Sequence, residues 1–442
     1  MNTLQVNTEV HTFHQNTSQH AGASQNENKP QAAHANAFQQ FHLSQQLLAA
    51  IQRMGYKEPT QIQVNAIPPI LAGKDVVGES ATGSGKTLAF GCGVIERTVP
   101  NAGLQALIIT PTRELAEQVK DSLCQISFQK QLRIISVYGG VGMEPQIHGL
   151  RQANIVVATP GRLNDHLQRR TIDLLKVNVL VLDEADRMLD MGFIEDIERI
   201  MSACRNRKQT LFFSATFPPQ IVRLTTKYMN NPIRVQARRH VDPTKMEQVY
   251  YNVPTNMKLS LLVHLMKSEP FSLIMVFCNT RRTTDFVVKN LRTNGIDAIA
   301  IHGGFAQNKR TKTIQQFKEG NQVVLVCTDV AARGLHIDNV SHVYNYEIPK
   351  DPDDYVHRIG RTARAGEEGK VVNLLSEADY DQFGRLQNSR HAFTIRRVDA
   401  PQVDRVRVLQ TDQGRRGGFG GGNRRFGMQN NRGRFKHRSW RR

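Results

Sequence analysis

Short, mostly apolar runs alternate with amphipathic stretches from residue 38 to about residue 375. In the first half of the chain these runs occupy 106–109, 155–158, 179–182 and 210–213. Apolar runs of this length between helical patterns are typical of parallel strands that are buried on both faces. The pattern therefore predicts an α/β domain with a parallel sheet at 38–237.

A second series of apolar runs follows a polar stretch around 238–244. It occupies 273–277, 298–301, 323–326 and 371–375. A chain of 442 residues exceeds what one hydrophobic core normally serves, so a second domain is expected. We predict this domain, also α/β with a parallel sheet, at 246–386, joined to the first by a linker at 238–245.

The two ends of the chain differ in composition from the middle. Residues 1–37 are rich in Gln, Asn, His and Ala with almost no charge, which predicts a disordered polar tail. After residue 386 the strand pattern fades, and we assign 387–411 as a C-terminal extension. Residues 412–442 are rich in Arg, Gly, Asn and Phe, which predicts a disordered basic tail.

The chain is strongly basic, with 58 Lys or Arg against 39 Asp or Glu and a formal net charge of +19. Residues 412–442 hold ten of the basic residues and one acid, so +9 of this charge lies in the tail. Such a distribution suits a polyanionic partner, although a solvated basic surface is the alternative explanation.

Cysteine spacing and hydropathy exclude several classes of protein. The five cysteines are odd in number and show no C-x-x-C spacing, so neither a zinc site nor a disulfide framework is predicted. We expect them to be reduced core residues. The N-terminus lacks a basic segment followed by an apolar one, and nowhere do about 18 apolar residues run together. A soluble, cytoplasmic protein without membrane association is expected.

A candidate phosphate loop lies at 80–87, between a predicted strand at 75–77 and a helix that opens at Leu88. It matches the pattern G-x-x-x-x-G-K-[ST] except at Ser80. In this pattern backbone N–H groups bind phosphates, the lysine reaches the β- and γ-phosphates, and the final hydroxyl ligates Mg²⁺. The candidate nucleotide-binding residues are Ser80, Ala81, Thr82, Gly83, Ser84, Gly85, Lys86 and Thr87, and Thr87 is also a candidate metal ligand.

An acidic sequence, Asp183-Glu184-Ala185-Asp186, follows the apolar run at 179–182. The carboxyl ends of parallel strands are where open α/β sheets bind ligands. Asp183 is predicted to hold Mg²⁺, and Glu184 to orient or deprotonate the attacking water. An acidic strand end alone is usually a helix cap, but together with the phosphate loop it predicts hydrolysis of a nucleoside triphosphate.

Three further motifs carry a family resemblance. They are Pro-Thr-Arg-Glu-Leu-Ala at 111–116, Ser-Ala-Thr at 214–216 and His-Arg-Ile-Gly-Arg-Thr-Ala-Arg at 357–364. With Asp-Glu-Ala-Asp they resemble the DEAD-box RNA helicases in order and spacing. The resemblance implies two tandem RecA-like P-loop domains and an RNA-stimulated ATPase, with ATP and Mg²⁺ as cofactors. It further implies coupling of hydrolysis to RNA binding, local unwinding of RNA duplexes and remodelling of RNA–protein complexes.

The resemblance also assigns nucleotide contacts outside the phosphate loop. The sequence at 55–63 is similar to the family's Q motif, in which Gln63 would read the adenine edge and the upstream Phe38 would stack on the base. Arg361 and Arg364 would act as arginine fingers from the second domain, which couples hydrolysis to domain closure.

The fifth motif, which implies a ribose contact, departs from the family. Gly334 and His336 are candidate nucleotide contacts, but His336 stands where the family usually has an aspartate. Asp338 could substitute if the loop shifts.

The implied RNA contacts hold phosphate and 2′-OH groups, so little sequence preference is expected. The candidates in the first domain are Pro111, Thr112, Arg113, Gly139, Gly140, Thr159, Gly161 and Arg162. Those in the second domain are Thr280, Arg281, Gln307, Arg310 and Thr328. By the same resemblance, 214–216 would link the nucleotide site to the interdomain cleft.

The expected partners are single-stranded and duplex RNA, with RNA-processing proteins as further candidates. An alternative function is a nucleotide-gated RNA clamp or chaperone with weak unwinding, which His336 keeps open. A DNA helicase is a third alternative, which is disfavoured because the Q motif and Asp-Glu-Ala-Asp together resemble RNA enzymes.

Overall fold

The computed structural model describes residues 37–80, 83–237, 246–332, 335, 337, 340–363, 368–389 and 393–409. The predicted tail at 412–442 and the predicted linker lie outside the described residues, as does 1–36 of the predicted N-terminal tail. Five predicted site residues also lie outside them: Ala81, Thr82, Gly334, His336 and Arg364.

The first domain is built on a seven-stranded, entirely parallel sheet. Its strands are β1 (Val76–Glu79), β2 (Ala106–Ile109), β3 (Ile134–Val137), β4 (Ile155–Ala158), β5 (Val179–Asp183), β6 (Gln209–Ser214) and β7 (Ile233–Gln236). Their spatial order is β3-β4-β2-β5-β6-β1-β7.

Helices cover both faces of this sheet. They are α1 (Gln45–Arg53), α2 (Gln61–Leu71), α3 (Lys86–Arg97), α4 (Arg113–Ile126), α5 (Met143–Leu150), α6 (Pro160–Gln168), α7 (Ala185–Asp190), α8 (Ile194–Ala203) and α9 (Pro219–Tyr228), preceded by a 3-10 helix at Ala37–Phe41. Successive strand residues point to opposite faces, so Ile108 joins the core cluster of Phe90 and Leu107 joins that of Met201. This two-sided burial explains the mostly apolar runs.

The second domain repeats the same design. Its strands are β8 (Met246–Asn252), β9 (Leu273–Cys278), β10 (Ala298–Ile301), β11 (Val324–Thr328), β12 (Val340–Asn345), β13 (Gly369–Leu375) and β14 (Arg396–Val398). Their order is β10-β11-β9-β12-β13-β8-β14, which corresponds position by position to that of the first sheet. Its helices are α10 (Lys258–Ser268), α11 (Arg281–Thr293), α12 (Gln307–Lys318), α13 (Asp329–Ala332), α14 (Pro352–Ile359) and α15 (Tyr380–Gln387), with 3-10 turns at Thr255–Met257 and Glu377–Asp379. The predicted fold, two parallel-sheet α/β domains, is confirmed.

Strand β14 was not predicted. It lies in the extension after residue 386, pairs in parallel with β8, and occupies the place that β7 has in the first sheet. The chain then runs along the domain as far as Leu409, whose backbone N–H donates to Oδ1 of Asn290 at 2.6 Å. Two exposed arginines and one valine give no strand periodicity, so the pairing follows from tertiary contact rather than local pattern.

Four of the five free cysteines are buried as expected, but Cys124 is exposed, because it lies on the outer face of the amphipathic helix α4. Within the described part of the chain, no helix has the length and apolar character needed to span a bilayer.

Candidate functional site

The phosphate loop connects β1 to α3 through two glycines with positive φ, Gly83 at +79° and Gly85 at +94°. Glycine adopts this region without the steric penalty of a Cβ. A Cβ at Gly85 would also lie 2.4 Å from Nε2 of Gln63, which leaves no room for another side chain. The loop therefore opens onto the N-terminus of α3, where unpaired backbone N–H groups and the helix dipole favour an anion.

Lys86 is the first residue of α3, and its side chain is buried. Its Nζ donates to the backbone oxygen of Ser80 at 3.0 Å, and Oγ of Ser84 donates to Oγ of Ser80 at 2.9 Å. An ammonium has three donors, so two remain for a phosphate. Among the described residues Lys86 has no ion-pair partner at 4.0 Å or closer, which leaves its charge available to an anion. Thr87, the predicted metal ligand, follows it in the first turn of the helix.

Residues of the Q motif hydrogen-bond to the backbone of this loop. Nε2 of Gln63 donates to the backbone oxygen of Gly85 at 3.1 Å, and Oε1 of Gln63 accepts from the N–H of Thr60 at 2.9 Å. Thr60 Oγ1 in turn donates to the backbone oxygen of Ser84 at 2.8 Å. Gln63 is only 1% exposed. Gln63 was expected to hydrogen-bond to the adenine edge, whereas here its Nε2 and Oε1 both hydrogen-bond to backbone groups of the protein.

Phe38 also differs from its expected position. It lies in the 3-10 helix before α1, has no exposed surface, and meets the ring of Phe41 edge to face at 6.0 Å between centroids. Both rings belong to the core of the first domain. Burial of a large aromatic ring is favourable, and it leaves no ring face for a base. The predicted stacking on adenine is therefore not supported by this geometry.

Asp183 ends β5 as a buried carboxylate whose Oδ1 has no hydrogen-bond partner among the described residues. Burial, reinforced by the charge of Glu184, raises the pKa of Asp183 to about 7, although Lys86 acts in the opposite direction. A buried carboxylate oxygen without a donor is a suitable ligand for a hard cation. The described residues contain no cluster of three or more His, Cys, Asp or Glu that could hold a metal.

Glu184 follows in the left-handed region, with φ of 54° and ψ of 52°, and is buried. A non-glycine residue in this region is strained by about 1–3 kcal/mol, and such residues cluster at functional sites. Asp186 is tied to the Ser-Ala-Thr motif. Its Oδ2 accepts from the backbone N–H of Thr216 at 2.9 Å, and its own N–H donates to Oγ of Ser214 at 3.0 Å. The acidic motif and the 214–216 motif therefore form one hydrogen-bonded unit.

The next residue, Arg187, reaches the second domain. Its Nη1 lies 2.9 Å from Oδ1 of Asp354 in α14, and the arginine side chain is only 3% exposed. Burying one of these charges without the other would be costly, so the two side chains are held in contact. The pair connects the acidic motif of the first domain to the helix that precedes Arg361.

Arg361, the predicted finger, is held within its own domain. Its Nε donates to the backbone oxygen of His357 at 3.2 Å, and its Nη1 donates to the backbone oxygen of Leu335. Arg361 as a whole residue is 3% exposed. It therefore needs to exchange these carbonyl partners for phosphate oxygens in order to act on a nucleotide.

Most of the predicted RNA-binding residues line a cavity of about 360 Å³ between the domains. Its lining includes Pro111, Thr112, Arg113, Gly139, Thr159, Gly161, Arg162, Gln307 and Arg310. Four candidates lie outside the lining: Gly140, Thr280, Arg281 and Thr328. Gly140 is nevertheless adjacent, since a Cβ there would lie 2.1 Å from Nη1 of Arg113. Arg281 similarly approaches the lining residue Gly303, where an added Cβ would lie 3.1 Å from its Nη2.

Helix N-termini from both domains lie among these candidates. Oγ1 of Thr112 accepts from the N–H of Leu115 at 3.2 Å and so caps α4. Oγ1 of Thr280 accepts from the N–H of Thr283 at 3.0 Å and caps α11. Free N–H groups at helix starts are suited to phosphate.

Two of the candidates also connect the domains. Arg310 Nε lies 2.8 Å from Oε1 of Glu114, and Gln307 Nε2 donates to the same oxygen at 3.3 Å. Arg113 Nη1 lies 3.5 Å from Oε1 of Gln307. Because Glu114 occupies the guanidinium of Arg310, this arginine serves an interdomain contact in the structure rather than a free phosphate contact.

The structure adds residues that the sequence did not single out. Glu114 pairs with Arg310 across the domains, and Arg187 pairs with Asp354. Arg358 of α14 is buried and binds several polar groups. Both carboxylate oxygens of Asp329 accept from Arg358, at 2.6 and 2.7 Å, and Oδ1 of Asn279 accepts from it at 2.8 Å. Each of these residues is next to or within a quoted motif, which is the only signal the sequence offered.

Two RecA-like sheets, one phosphate loop and a cleft between the domains define a two-domain helicase of the P-loop class. The family model described as DEAD/DEAH box helicase matches residues 60–224, and the model described as helicase conserved C-terminal domain matches 257–366. The chain belongs to the DEAD/DEAH box helicase family.

Relatives and solved structures agree with this assignment. The chain is 43% identical over 371 residues to the DEAD-box ATP-dependent RNA helicase CshA of Geobacillus kaustophilus, covering 83% of this chain and 79% of the relative. It is 43% identical over 365 residues to CshA of Bacillus subtilis, covering 82% and 73%. The structure of S. cerevisiae Dbp5 bound to RNA and ADP BeF3 matches with a TM-score of 0.76 at 28% identity, covering 83% of this chain and 96% of that chain.

Proposed function

We propose that this protein binds ATP·Mg²⁺ at the loop between β1 and α3 and RNA in the groove between the domains. The chain is an ATP-dependent RNA helicase, and enzymes of this kind are RNA-stimulated ATPases. The observation that supports the site assignment best is the buried Oδ1 of Asp183, which has no hydrogen-bond partner among the described residues and lies at the same ends of the strands as the phosphate loop.

In this proposal Lys86 and the backbone N–H groups of the loop hold the phosphates, and Thr87 and Asp183 hold the metal. Mg²⁺, when bound, supplies charge neutralisation at the phosphate oxygens. Glu184 accepts a proton from the attacking water or orients it. The left-handed backbone conformation of Glu184 supports this role, because strained residues cluster at functional sites.

For RNA we propose that the backbone lies along the groove, against the starts of α4, α6 and α11. These helix ends and Arg113, Arg162 and Arg281 contact phosphates and sugars rather than bases. Recognition is then largely independent of sequence, for both single strands and the ends of duplexes. Bending of one strand on closure would separate short duplexes locally and allow remodelling of RNA–protein complexes.

Coupling between the two sites is proposed to run through the unit that contains Asp186 and Thr216 and across the Arg187–Asp354 pair. Closure frees Arg361 from its carbonyl partners and brings it to the γ-phosphate. The ribose contact of His336, the second finger Arg364 and the cytoplasmic location stay predictions from the sequence.

Unwinding of matched RNA and DNA duplexes, with and without ATP, tests this function. The intact protein is expected to unwind the RNA duplex only with ATP and the DNA duplex poorly. Glu184→Gln is expected to bind ATP and RNA but to lose turnover by roughly 10²–10⁴, the usual contribution of a positioned base. Glu195→Gln, an exposed acid in α8, is the matched control and should retain turnover. RNA-stimulated hydrolysis without unwinding would instead support an RNA clamp.

A further inference from the structure

We propose that the first domain has a second phosphate-binding site. It is a polar cavity at the N-terminal ends of β1 and β6, and the phosphate loop lies at the opposite end of β1. The cavity has a volume of about 560 Å³, which is in the range of small-molecule sites. The residues just before β1, the start of β6 and the end of α9 line it. The phosphate loop follows the other end of β1, so the length of this strand separates the two sites.

The walls of this cavity are fixed by hydrogen bonds. Asp75 is the one acid among its lining residues, all of which are described. Its two oxygens accept from the backbone N–H groups of Thr210 and Asn230, each at 2.7 Å. Arg207 donates to the backbone oxygens of Met201, Cys204 and Tyr228 and to Oγ1 of Thr210. This acid and this arginine therefore hold the walls together, and neither of them pairs with another cation of the lining.

Three further cations surround the opening: Lys74, Arg205 and Lys208. All three are exposed, and within the described ranges none of their side chains has a hydrogen-bond or ion-pair partner. A fourth lining cation, Lys227, is paired with Glu198 at 3.3 Å. Three unpaired cations around a concave surface produce a local positive potential that attracts anions.

A buried polar group in the wall also lacks a partner. Gln209 is 1% exposed, and its Nε2 donates to the backbone oxygens of Ile70 at 3.0 Å and Lys74 at 2.7 Å. Its Oε1 is buried without a hydrogen-bond partner in the described part of the chain. Buried acceptors are normally satisfied, so this oxygen is an exception in the wall of the cavity.

The corresponding edge of the second sheet shows that unpaired cations there are not a general consequence of the fold. Lys370 lies 2.7 Å from Glu269, and Arg396 lies 2.6 Å from Glu247. His342 lies 3.4 Å from the same Glu269. The second domain thus pairs these three cations with acids, whereas Lys74, Arg205 and Lys208 of the first domain have no acid partner among the described residues.

The chemistry of the cavity favours phosphate over other anions. Lys and Arg bind phosphate by charge, and the amides of Asn230 and Asn231 at the rim supply neutral donors. Two sources offer such groups, a small polyphosphate and the phosphodiester backbone of RNA that extends beyond the interdomain groove. The shared requirement is two or more phosphates close together, to meet several cations at once.

Residue-resolved lysine acetylation of the full-length protein tests this proposal. Acetylation is followed by mass spectrometry with pyrophosphate, with a single-stranded oligoribonucleotide, or with NaCl of equal ionic strength. At a ligand concentration ten times Kd, Lys74 and Lys208 should react about tenfold more slowly. Lys176, an exposed lysine that is not part of the lining, should react at an unchanged rate. Arg205→Glu should remove the protection, and Arg223→Glu, an exposed arginine of α9 outside the lining, should retain it.

Protection by pyrophosphate would assign the cavity to small phosphates, and protection by the oligonucleotide alone would assign it to the RNA backbone. No protection by either, equal slowing of Lys176, or protection that survives Arg205→Glu would overturn the proposal. The readout does not involve ATP hydrolysis, so its outcome is independent of the proposed helicase mechanism.

Discussion

The two domains share one strand order, yet they differ at the place where the first domain has its phosphate loop. In the first domain β1 is followed by a glycine-containing loop and by Lys86 at the first position of α3. In the second domain β8 is followed by a short 3-10 turn and by Lys258 at the first position of α10. Both lysines are buried, so a buried lysine at a helix start does not by itself make a phosphate site.

The difference lies in what each ammonium contacts. Among the described residues Lys86 Nζ donates to one carbonyl oxygen, whereas Lys258 Nζ lies 2.6 Å from Asp379 and donates to the backbone oxygen of Tyr346 at 2.8 Å. Burial acts to raise the pKa of Asp379, but the bonds from Lys258 and Ser376 outweigh it and lower this pKa. The second domain has therefore replaced an anion site with an internal ion pair.

The acids at the ends of the corresponding strands β5 and β12 differ in the same way. Asp183 has a buried oxygen without a donor among the described residues. In the second domain the carboxylate of Glu347 accepts from the N–H of Asn279 at 2.6 Å and from Oγ1 of Thr283 at 3.2 Å. The first domain keeps its polar groups available for a ligand, and the second uses them to hold its own loops. In the proposed mechanism the second domain contributes to catalysis through the cation of Arg361.

Removal of the Arg361 guanidinium should have the largest effect on ATP turnover. Arg361→Ala is expected to reduce RNA-stimulated ATP turnover by on the order of 10³ or more, as for other arginine fingers. ATP affinity without RNA should change little, because Arg361 is bound to carbonyls of its own domain in this structure. Steady-state hydrolysis with saturating RNA measures the first quantity and equilibrium nucleotide titration the second. Normal turnover in the variant would remove Arg361 from the mechanism.

The internal ion pair predicts an effect on stability rather than on ATP binding. Lys258→Met leaves Asp379 buried without its partner, which should lower the free energy of unfolding by about 3–5 kcal/mol. Denaturant unfolding followed by a probe in the second domain measures this loss. Lys258→Met/Asp379→Leu should recover most of the stability, since replacing both charges removes the uncompensated one. An unchanged midpoint for Lys258→Met would show that the pair contributes nothing.

The raised pKa of Asp183 predicts pH-dependent metal affinity. The folded chain holds this proton with a pKa of about 7 against an ordinary 3.8, so Asp183 stabilises the fold below about pH 4 and this contribution is lost as pH rises towards 7. Mg²⁺ competes with the same proton and should bind the ADP complex about tenfold more weakly at pH 6 than at pH 8. Calorimetric titration at both pH values measures this ratio, and Asp183→Asn should abolish it.

An effect of about the same size is expected for the contact between the domains. A double-mutant cycle of Arg187→Ala and Asp354→Ala on RNA-stimulated turnover should give a coupling energy of about 1–2 kcal/mol, as is usual for paired residues. The exposed Arg396–Glu247 pair, which lies within the second domain, provides the control and should show no coupling in turnover. Additive effects at Arg187 and Asp354 would mean that their contact does not transmit closure.

Much of this arrangement could be predicted from the sequence, because buried parallel strands leave mostly apolar runs and the motifs lie at their carboxyl ends. The remainder depends on contacts between distant segments. Arg187 and Asp354 are 167 positions apart, and no local pattern indicates that they pair. Likewise, β14 forms only because β8 offers an open edge. The position of Gln63 depends on the close approach of the loop at Gly85, which only the folded chain reveals.

Nucleotide stoichiometry tests the central claim, that one of two alike domains binds the nucleotide, most directly. Equilibrium titration of the full-length protein with a non-hydrolysable ATP analogue should give one site per chain. Lys86→Ala should weaken this site at least about tenfold, a loss of about 1.4 kcal/mol. Lys258→Met/Asp379→Leu should keep one site with unchanged affinity. A second nucleotide per chain, or binding that is insensitive to Lys86→Ala, would contradict the account.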